Sequence, residues 1–287
     1  EGFDVALTCD RDLQHGIIHN TRGRALLRRT SDGTALLDTP GLDAYTTFGE
    51  FSPDGRLAAV AFCDTEYRTA SIGVWEWRST NLLARLSAVQ PIRPGSPQRP
   101  VGFAPDGQRL WLLTPAGELS VYDLQTKELQ RVIVPGHPAH SLRLSPSGTS
   151  VALGCGNILE VWDLTSHAER AALTLTNEIW HLAWQPGEER LAIGCYGGLY
   201  LWDIGAPEAV RLPERAPVAI TELSFDGDGG FLFSGGWFEL GEVWDVRQLQ
   251  RILEPGAGHL VQLSQDQRRL AIGRERVGYG IRQFLPP

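Results

Sequence analysis

Apolar residues fall along the chain in short β-rich runs separated by turn formers, and the same order of runs returns several times. One copy reads Leu142–Gly148 (LRLSPSG), Val151–Cys155 (VALGC) and Leu159–Leu164 (LEVWDL), with a fourth run at Arg170–Leu175 (RAALTL). The next reads Leu182–Gly187 (LAWQPG), Leu191–Cys195 (LAIGC) and Leu199–Ile204 (LYLWDI). Runs of this kind joined by tight turns predict a four-stranded antiparallel unit. The turn between the first two runs has a mechanism. In Pro53–Gly55 and Pro105–Gly107, both PDG, Pro presets φ, Asp bonds the nearby backbone and Gly accepts positive φ. It degrades to Pro146–Gly148 (PSG), Pro186–Glu188 (PGE) and Asp226–Gly227 elsewhere.

The residue before that turn is a phase marker, read at Thr8, Ser52, Ala104, Ser145, Gln185, Ser224 and Ser264 in steps of 44, 52, 41, 40, 39 and 40. A second spacing agrees. The third run ends at Trp75-Glu76, Tyr122-Asp123, Trp162-Asp163, Trp202-Asp203 and Trp244-Asp245, and decays to Leu27-Arg28 and Ile281-Arg282 in the outer repeats. The 287 residues thus hold seven repeats, close to the ~40–45-residue period of propeller blades. The long step marks an insertion at Gln90–Pro100.

Phe51–Leu57 (FSPDGRL), Val161–Leu164 (VWDL), Gly136-His137 and Gly258-His259 resemble the blocks of the WD-repeat family, and the resemblance covers essentially the whole chain. It implies an all-β fold: a seven-bladed β-propeller of four-stranded antiparallel blades, strand a lining the channel and strand d at the rim. Blades are expected at 1–41, 42–88, 95–134, 136–175, 177–213, 216–253 and 257–287, in a single domain. The family also implies a rigid platform for partner proteins. Its stabilising network joins the His of Gly-His, a Ser or Thr on strand b, an Asp in the b–c turn and the Trp of strand c. Here every repeat departs from that set; beside His137 and Trp162 the Ser position is Cys155 and the Asp position is Gly156 or Asn157. No strongly buried Asp–His network is expected.

The ends together fall short of one repeat, with 23 residues after Ser264 and seven before Thr8. If Phe3–Thr8 is the first strand of the first blade and Gly278–Phe284 the third of the last, the last blade is three-stranded or is closed from upstream of Glu1. If Phe3–Thr8 closes the ring, the first blade is a strand short instead. Met is absent altogether, which suggests a domain excised from a longer protein.

Composition narrows the function classes. With 42% hydrophobic residues and nine Trp the chain can bury a large core. No run approaches the ~18 apolar residues of a membrane span, and no signal peptide opens the chain, so a soluble protein without a membrane partner is expected. A net charge of −8 argues against non-specific nucleic-acid binding. Lys127 is the only Lys among 26 basic residues, a bias that GC-rich codon usage produces and that points to a bacterial source. Cys9, Cys63, Cys155 and Cys195 form neither a disulfide-rich pattern nor a CxxC pair, so the expected compartment is reducing and cytoplasmic. Cys155 and Cys195 share one phase and read as small buried fillers. Residues 257–287 carry +3, residues 1–31 carry +1 and the rest −12, which predicts a basic seam between first and last blades.

Loops on a rigid scaffold carry function. Five residues before each marker the chain reads Phe3, Thr47, Arg99, His140, Trp180, Ala219 and His259, and one residue later Asp4, Phe48, Pro100, Ser141, His181, Ile220 and Leu260. Arg99, His140, Trp180 and His259, with Tyr196, Trp237 and Phe238 from the b–c loops, form the candidate partner-binding face. Against this stands the reading that each merely covers a neighbouring loop. No metal site is expected: His15 and His19 would lie about 13 Å apart on a strand, and His137 and His140 lack a third ligand. No nucleophile elbow, HExxH helix or P-loop occurs, Glu188-Glu189 reads as a solvated turn tip, and neither catalytic residues nor a cofactor is expected.

The expected function is a non-catalytic protein–protein interaction scaffold from a larger bacterial regulatory or signalling protein. It would bind a protein or peptide on the loop face, or other domains of its parent chain. The alternatives are a small-ligand or enzymatic propeller using the channel mouth, and an intramolecular sensor attached to a kinase or other effector.

Overall fold

The computed structural model describes residues 6–19, 24–39, 44–64, 66, 68, 70–91, 98–213, 219–236, 241–253, 259–264, 266–274 and 278–283. All regular structure among them is strand. The first sheet contains β1 (Ala6–Cys9), β2 (His15–His19), β3 (Ala25–Arg29) and β4 (Ala35–Asp38). The second has β5 (Ala44–Phe51), β6 (Leu57–Asp64), β7 (Ala70–Glu76) and β8 (Asn81–Val89), and the third β9 (Val101–Phe103), β10 (Arg109–Leu113), β11 (Leu119–Asp123) and β12 (Leu129–Ile133). The fourth has β13 (Ser141–Leu144), β14 (Ser150–Cys155), β15 (Ile158–Asp163) and β16 (Glu169–Thr174). The fifth has β17 (Ile179–Trp184), β18 (Arg190–Cys195), β19 (Gly198–Asp203) and β20 (Val210–Arg211). The sixth has β21 (Ile220–Phe225), β22 (Phe231–Gly236), β23 (Glu242–Asp245) and β24 (Gln250–Leu253), and the last β25 (His259–Leu263), β26 (Arg269–Arg274) and β27 (Gly278–Gln283).

Each of the six four-stranded sheets pairs its strands in chain order and antiparallel, as the repeat predicts; the last has three strands among the described residues. No helix among these residues is long and apolar enough to cross a membrane. The arrangement is that of a β-propeller. In the four-stranded sheets each first strand begins a meander that ends on a fourth strand, which is largely exposed in β12 and β16.

The second strands are apolar on both faces because sheets flank them on both sides. Thus β14 is buried at all six positions and β18 at five of six. Apolar clusters alternate with the sheets. One joins Leu57, Ile72 and Val74 to Val101 and Leu112, another joins Val161 and Leu173 to Ile179 and Ile193, and a third joins Leu199 and Leu201 to Ile220 and Leu232. The first and last sheets also meet: Cys9 and Leu13 pack with Ala271 and Ile281, and Arg269 donates to the Asp12 carbonyl at 2.9 Å. Cys155 and Cys195 lie buried in these layers, and neither is part of a disulfide.

Small residues let the sheets approach. A Cβ on Gly194 would stand 2.6 Å from Cγ2 of Ile220 in the next sheet, and one on Gly154 would stand 3.3 Å from Cγ2 of Ile179.

The first hairpin turn corrects the phase of two markers. Leu13 N–H bonds the Asp10 carbonyl and Gly229 N–H bonds the Asp226 carbonyl, as Gly55 bonds Ser52. The true markers are therefore Asp10 and Asp226, two residues beyond Thr8 and Ser224. The side chain confirms it. Asp10, Ser52, Ser145, Asp226 and Ser264 each accept the backbone N–H five residues on, at 2.9–3.1 Å. Three residues after each marker the chain takes a positive φ, on Gly55, Gly107, Gly148 and Gly229, and on Leu13, Glu188 and Gln267.

No strongly buried Asp–His network was expected, and the fourth sheet carries a network built on a Glu in place of an Asp. Buried Glu160, two positions before Trp162 on β15, accepts the indole N–H at 2.9 Å through Oε2, while its Oε1 lies 3.1 Å from Nδ1 of His137. Glu188 is likewise not merely solvated at its turn tip, because its carboxylate accepts from the backbone and hydroxyl of Ser147 in the neighbouring sheet.

Two stability measurements check these assignments. Gly194→Ala forces a methyl into the stiff β-branched Ile220 and is expected to cost about 1–3 kcal/mol in denaturant unfolding. Asp226→Ala strips the partner from Phe231 N–H and is expected to cost about 1–2 kcal/mol, whereas Ser224→Ala, outside the turn, should cost less.

Candidate functional site

First strands of six sheets converge on one cavity of about 340 Å³, lined by residues of β1, β5, β9, β13, β17 and β21. Charged side chains gather there. Arg99, just before β9, crosses to Glu222 on β21, with Nη2 2.8 Å from Oε1, and its guanidinium lies 5.1 Å from the centre of the Phe48 ring. Arg143 on β13 donates Nε to the Leu182 carbonyl at 3.2 Å, and its Nη2 lies 3.0 Å from Nε2 of His181 on β17. Nε2 of His181 is also 3.6 Å from Oε2 of Glu222.

The protonation states follow from this geometry. Arginine has no acceptor, so Nε2 of His181 takes the hydrogen bond from Arg143 and the ring proton sits on Nδ1. That Nδ1 is enclosed without a hydrogen-bond partner, as is Oε2 of Glu50. Burial first, then the charges of Arg143 and Arg99, holds the His181 pKa well below its ordinary 6.5. Burial also brings Arg143 down to about 10, with Arg99 adding repulsion and Glu50 and Glu222 opposing it. Burial raises the pKa of Glu50 against the pull of Arg143 and Arg99 and a hydrogen bond from Phe103 N–H.

A second feature lies at the start of β17. The ladder slips between Ile179 and His181, so Trp180 occupies a bulge, a device that re-aims a side chain. The Trp180 ring lies 5.8 Å from the Tyr196 ring, tilted by 53°. Tyr196, in the turn after β18, is 60% exposed and bridges Ala219 in the sixth sheet.

The expected face is therefore partly assembled. Trp180 and Tyr196 meet. Arg99 is turned into the cavity and paired, with only 17% of its side chain exposed. His140 stands apart, with Nδ1 2.7 Å from the Gln90 amide nitrogen. Trp237 and Phe238 lie outside the described residues, as does the side chain of His259, whose backbone opens β25.

Sequence reasoning missed Glu50, Arg143 and Glu222. With Asp226 as the marker, Glu222 falls four residues before it, in the same phase as His181, where the uncorrected count gives Ile220. Glu50 and Arg143 fall two residues before Ser52 and Ser145. A charge within an otherwise apolar first strand was the available signal.

Other groups with chemical potential are structural. His15 places Nδ1 2.7 Å from Oδ2 of Asp10 and lies against the Trp77 ring at 4.5 Å. Burial, with smaller contributions from Asp10 and Glu160, pushes the thiols of Cys9 and Cys155 up to about 12, far from a reactive thiolate. Among the described residues no group of three or more His, Cys, Asp or Glu could hold a metal ion.

The buried neutral imidazole has a signature in stability. Below pH 6.5 the unfolded chain takes a proton on His181 that the folded chain refuses, so folding weakens as pH falls toward the depressed folded value. The slope from this one group is about 1.4 kcal/mol per pH unit, and unfolding curves of His181→Asn should lack it. An unchanged slope would show that His181 is charged in the folded protein.

A search against protein-family models finds no match for this chain, and a search of curated proteins finds none either.

Proposed function

We propose that the chain is a seven-bladed propeller of the WD-repeat type that acts as a non-catalytic platform for a protein or peptide partner. The observation that carries this is the Trp180–Tyr196 pair: two large rings held against each other, one of them exposed to 60%, at the loop end of buried strands. Aromatic anchors of this size on a rigid support dominate the binding energy of many interfaces. Rigidity is supplied by the second strands beneath, and the bulge at Trp180 turns the indole out of the ladder.

The mechanism is presentation. A partner gains affinity by covering rings already in position, with little ordering cost on the platform side. The surface needs no metal or cofactor for this. Four buried cysteines outside any disulfide fit work in a reducing, cytoplasmic compartment, and the composition fits a bacterial source.

Photo-crosslinking tests the face. A crosslinker replacing Tyr196 is expected to trap a discrete partner in cells, and one replacing Leu129 on the exposed outer strand β12 is not. Trp180→Ala should abolish the Tyr196 adduct. Trapping from Leu129 alone would move the interface to the rim and defeat the proposal.

A further inference from the structure

The cavity among the first strands is a built site, independent of the Trp180–Tyr196 face. We propose that it binds a compact oxyanion, a carboxylate or phosphate carried by a free small molecule, between Arg143, His181 and Glu50.

Three groups converge on the need for an acceptor. Arg143 uses Nε and Nη2 on Leu182 and His181, and its Nη1 forms no hydrogen bond with a described residue. His181, only 2% exposed, carries its proton on an Nδ1 that finds no partner. An enclosed unpaired donor costs free energy that an acceptor would recover. Glu50 likewise has an enclosed Oε2 without a partner, and as a carboxylic acid it becomes a third donor.

Charge favours the same class. Arg99 is compensated by Glu222 at 2.8 Å, whereas Arg143 has no carboxylate within ion-pair distance among the described residues. The charges that oppose its loss of a proton are those of Glu50 and Glu222, and burial raises the pKa of Glu50. When Glu50 holds a proton, the desolvated cluster of Arg99, Arg143, His181, Glu50 and Glu222 carries one net positive charge. Arg11 adds a second, solvent-exposed one at the cavity edge. A guanidinium presents paired N–H groups that match carboxylate and phosphate oxygens. The volume of about 340 Å³ suits a small metabolite.

Binding is then tied to protonation of Glu50. The anion and an ionised Glu50 repel each other, so affinity is highest at low pH and falls as pH rises through the elevated Glu50 titration. Glu50→Gln, neutral at every pH, loses the part of this dependence that Glu50 contributes.

Calorimetry on the whole chain with malonate and with inorganic phosphate, using chloride as the control anion, tests the site. At least one oxyanion is expected to bind, with more proton uptake by the wild type than by Glu50→Gln. Arg143→Gln should weaken binding by roughly 30-fold or more, the loss that follows removal of one partner of a buried charge contact. Malonate binding alone identifies a carboxylate site and phosphate binding alone a phosphoryl site. The proposal is overturned if neither anion binds at millimolar concentration, if chloride competes equally, or if Glu50→Gln abolishes binding or leaves its pH dependence unchanged. The Glu50 variant retains the shape of the residue, so this readout stands even if Arg143→Gln does not fold.

Discussion

The central sheets of this protein have two apolar faces, and neither can be covered from within its own repeat. Covering both by neighbouring sheets is the constraint from which the rest follows. It dictates second strands without polar alternation, such as β14 and β18. It also places the apolar clusters between sheets, so that Val161 finds its company in Ile179 and Ile193 of the next repeat. Contact between Cys9, Leu13, Ala271 and Ile281 extends the same logic to the two ends of the chain.

Packing the sheets face to face brings the first strands of six of them around one cavity, and that position is chemically unusual. Their side chains meet residues from several sheets at once, in a space too small to hydrate them freely. Arg99 comes to share a cavity with Glu222, 123 positions away, through this geometry. Charges that would be unremarkable on a surface acquire altered proton affinities there because solvent is withdrawn and unlike neighbours are fixed in place. The same scaffold holds a bulged strand start at Trp180, so one element, β17, contributes the cavity imidazole of His181 and, one position before it, the indole that meets Tyr196.

Sheet organisation was legible in the sequence because turn chemistry is local. Pro53–Gly55 and the Trp-Asp endings report on residues a few positions apart, and Asp163 shows why the acid follows the Trp: its Oδ1 accepts the N–H groups of Thr165 and Ser166 that open the next turn. The markers failed at Asp10 and Asp226, where the turn has no Pro and a polar residue two places earlier fits the spacing equally well. The hydrogen bonds that close the turn distinguish them. Glu160 was illegible for another reason. It lies on β15 and not in the turn before it, where an Asp was looked for, and no linear pattern records that its carboxylate reaches both His137 and the Trp162 indole. The charged cavity required a phase correction and a three-dimensional neighbour list together, whereas Trp180 and Tyr196 were visible as aromatics at loop positions.

The recesses at Gly154 and Gly194 act as keyways: the methyl of an isoleucine from the following sheet seats in each and fixes how far the two sheets can slide past one another. In a linear array such a lock holds only toward one side, and the terminal unit can always peel away. Where first and last sheets also touch, no unit is terminal. Torque applied to one sheet is then shared in both directions, and disengaging a single key loosens two neighbours. Such a molecule resists fraying until one lock fails, after which the sheets are released together.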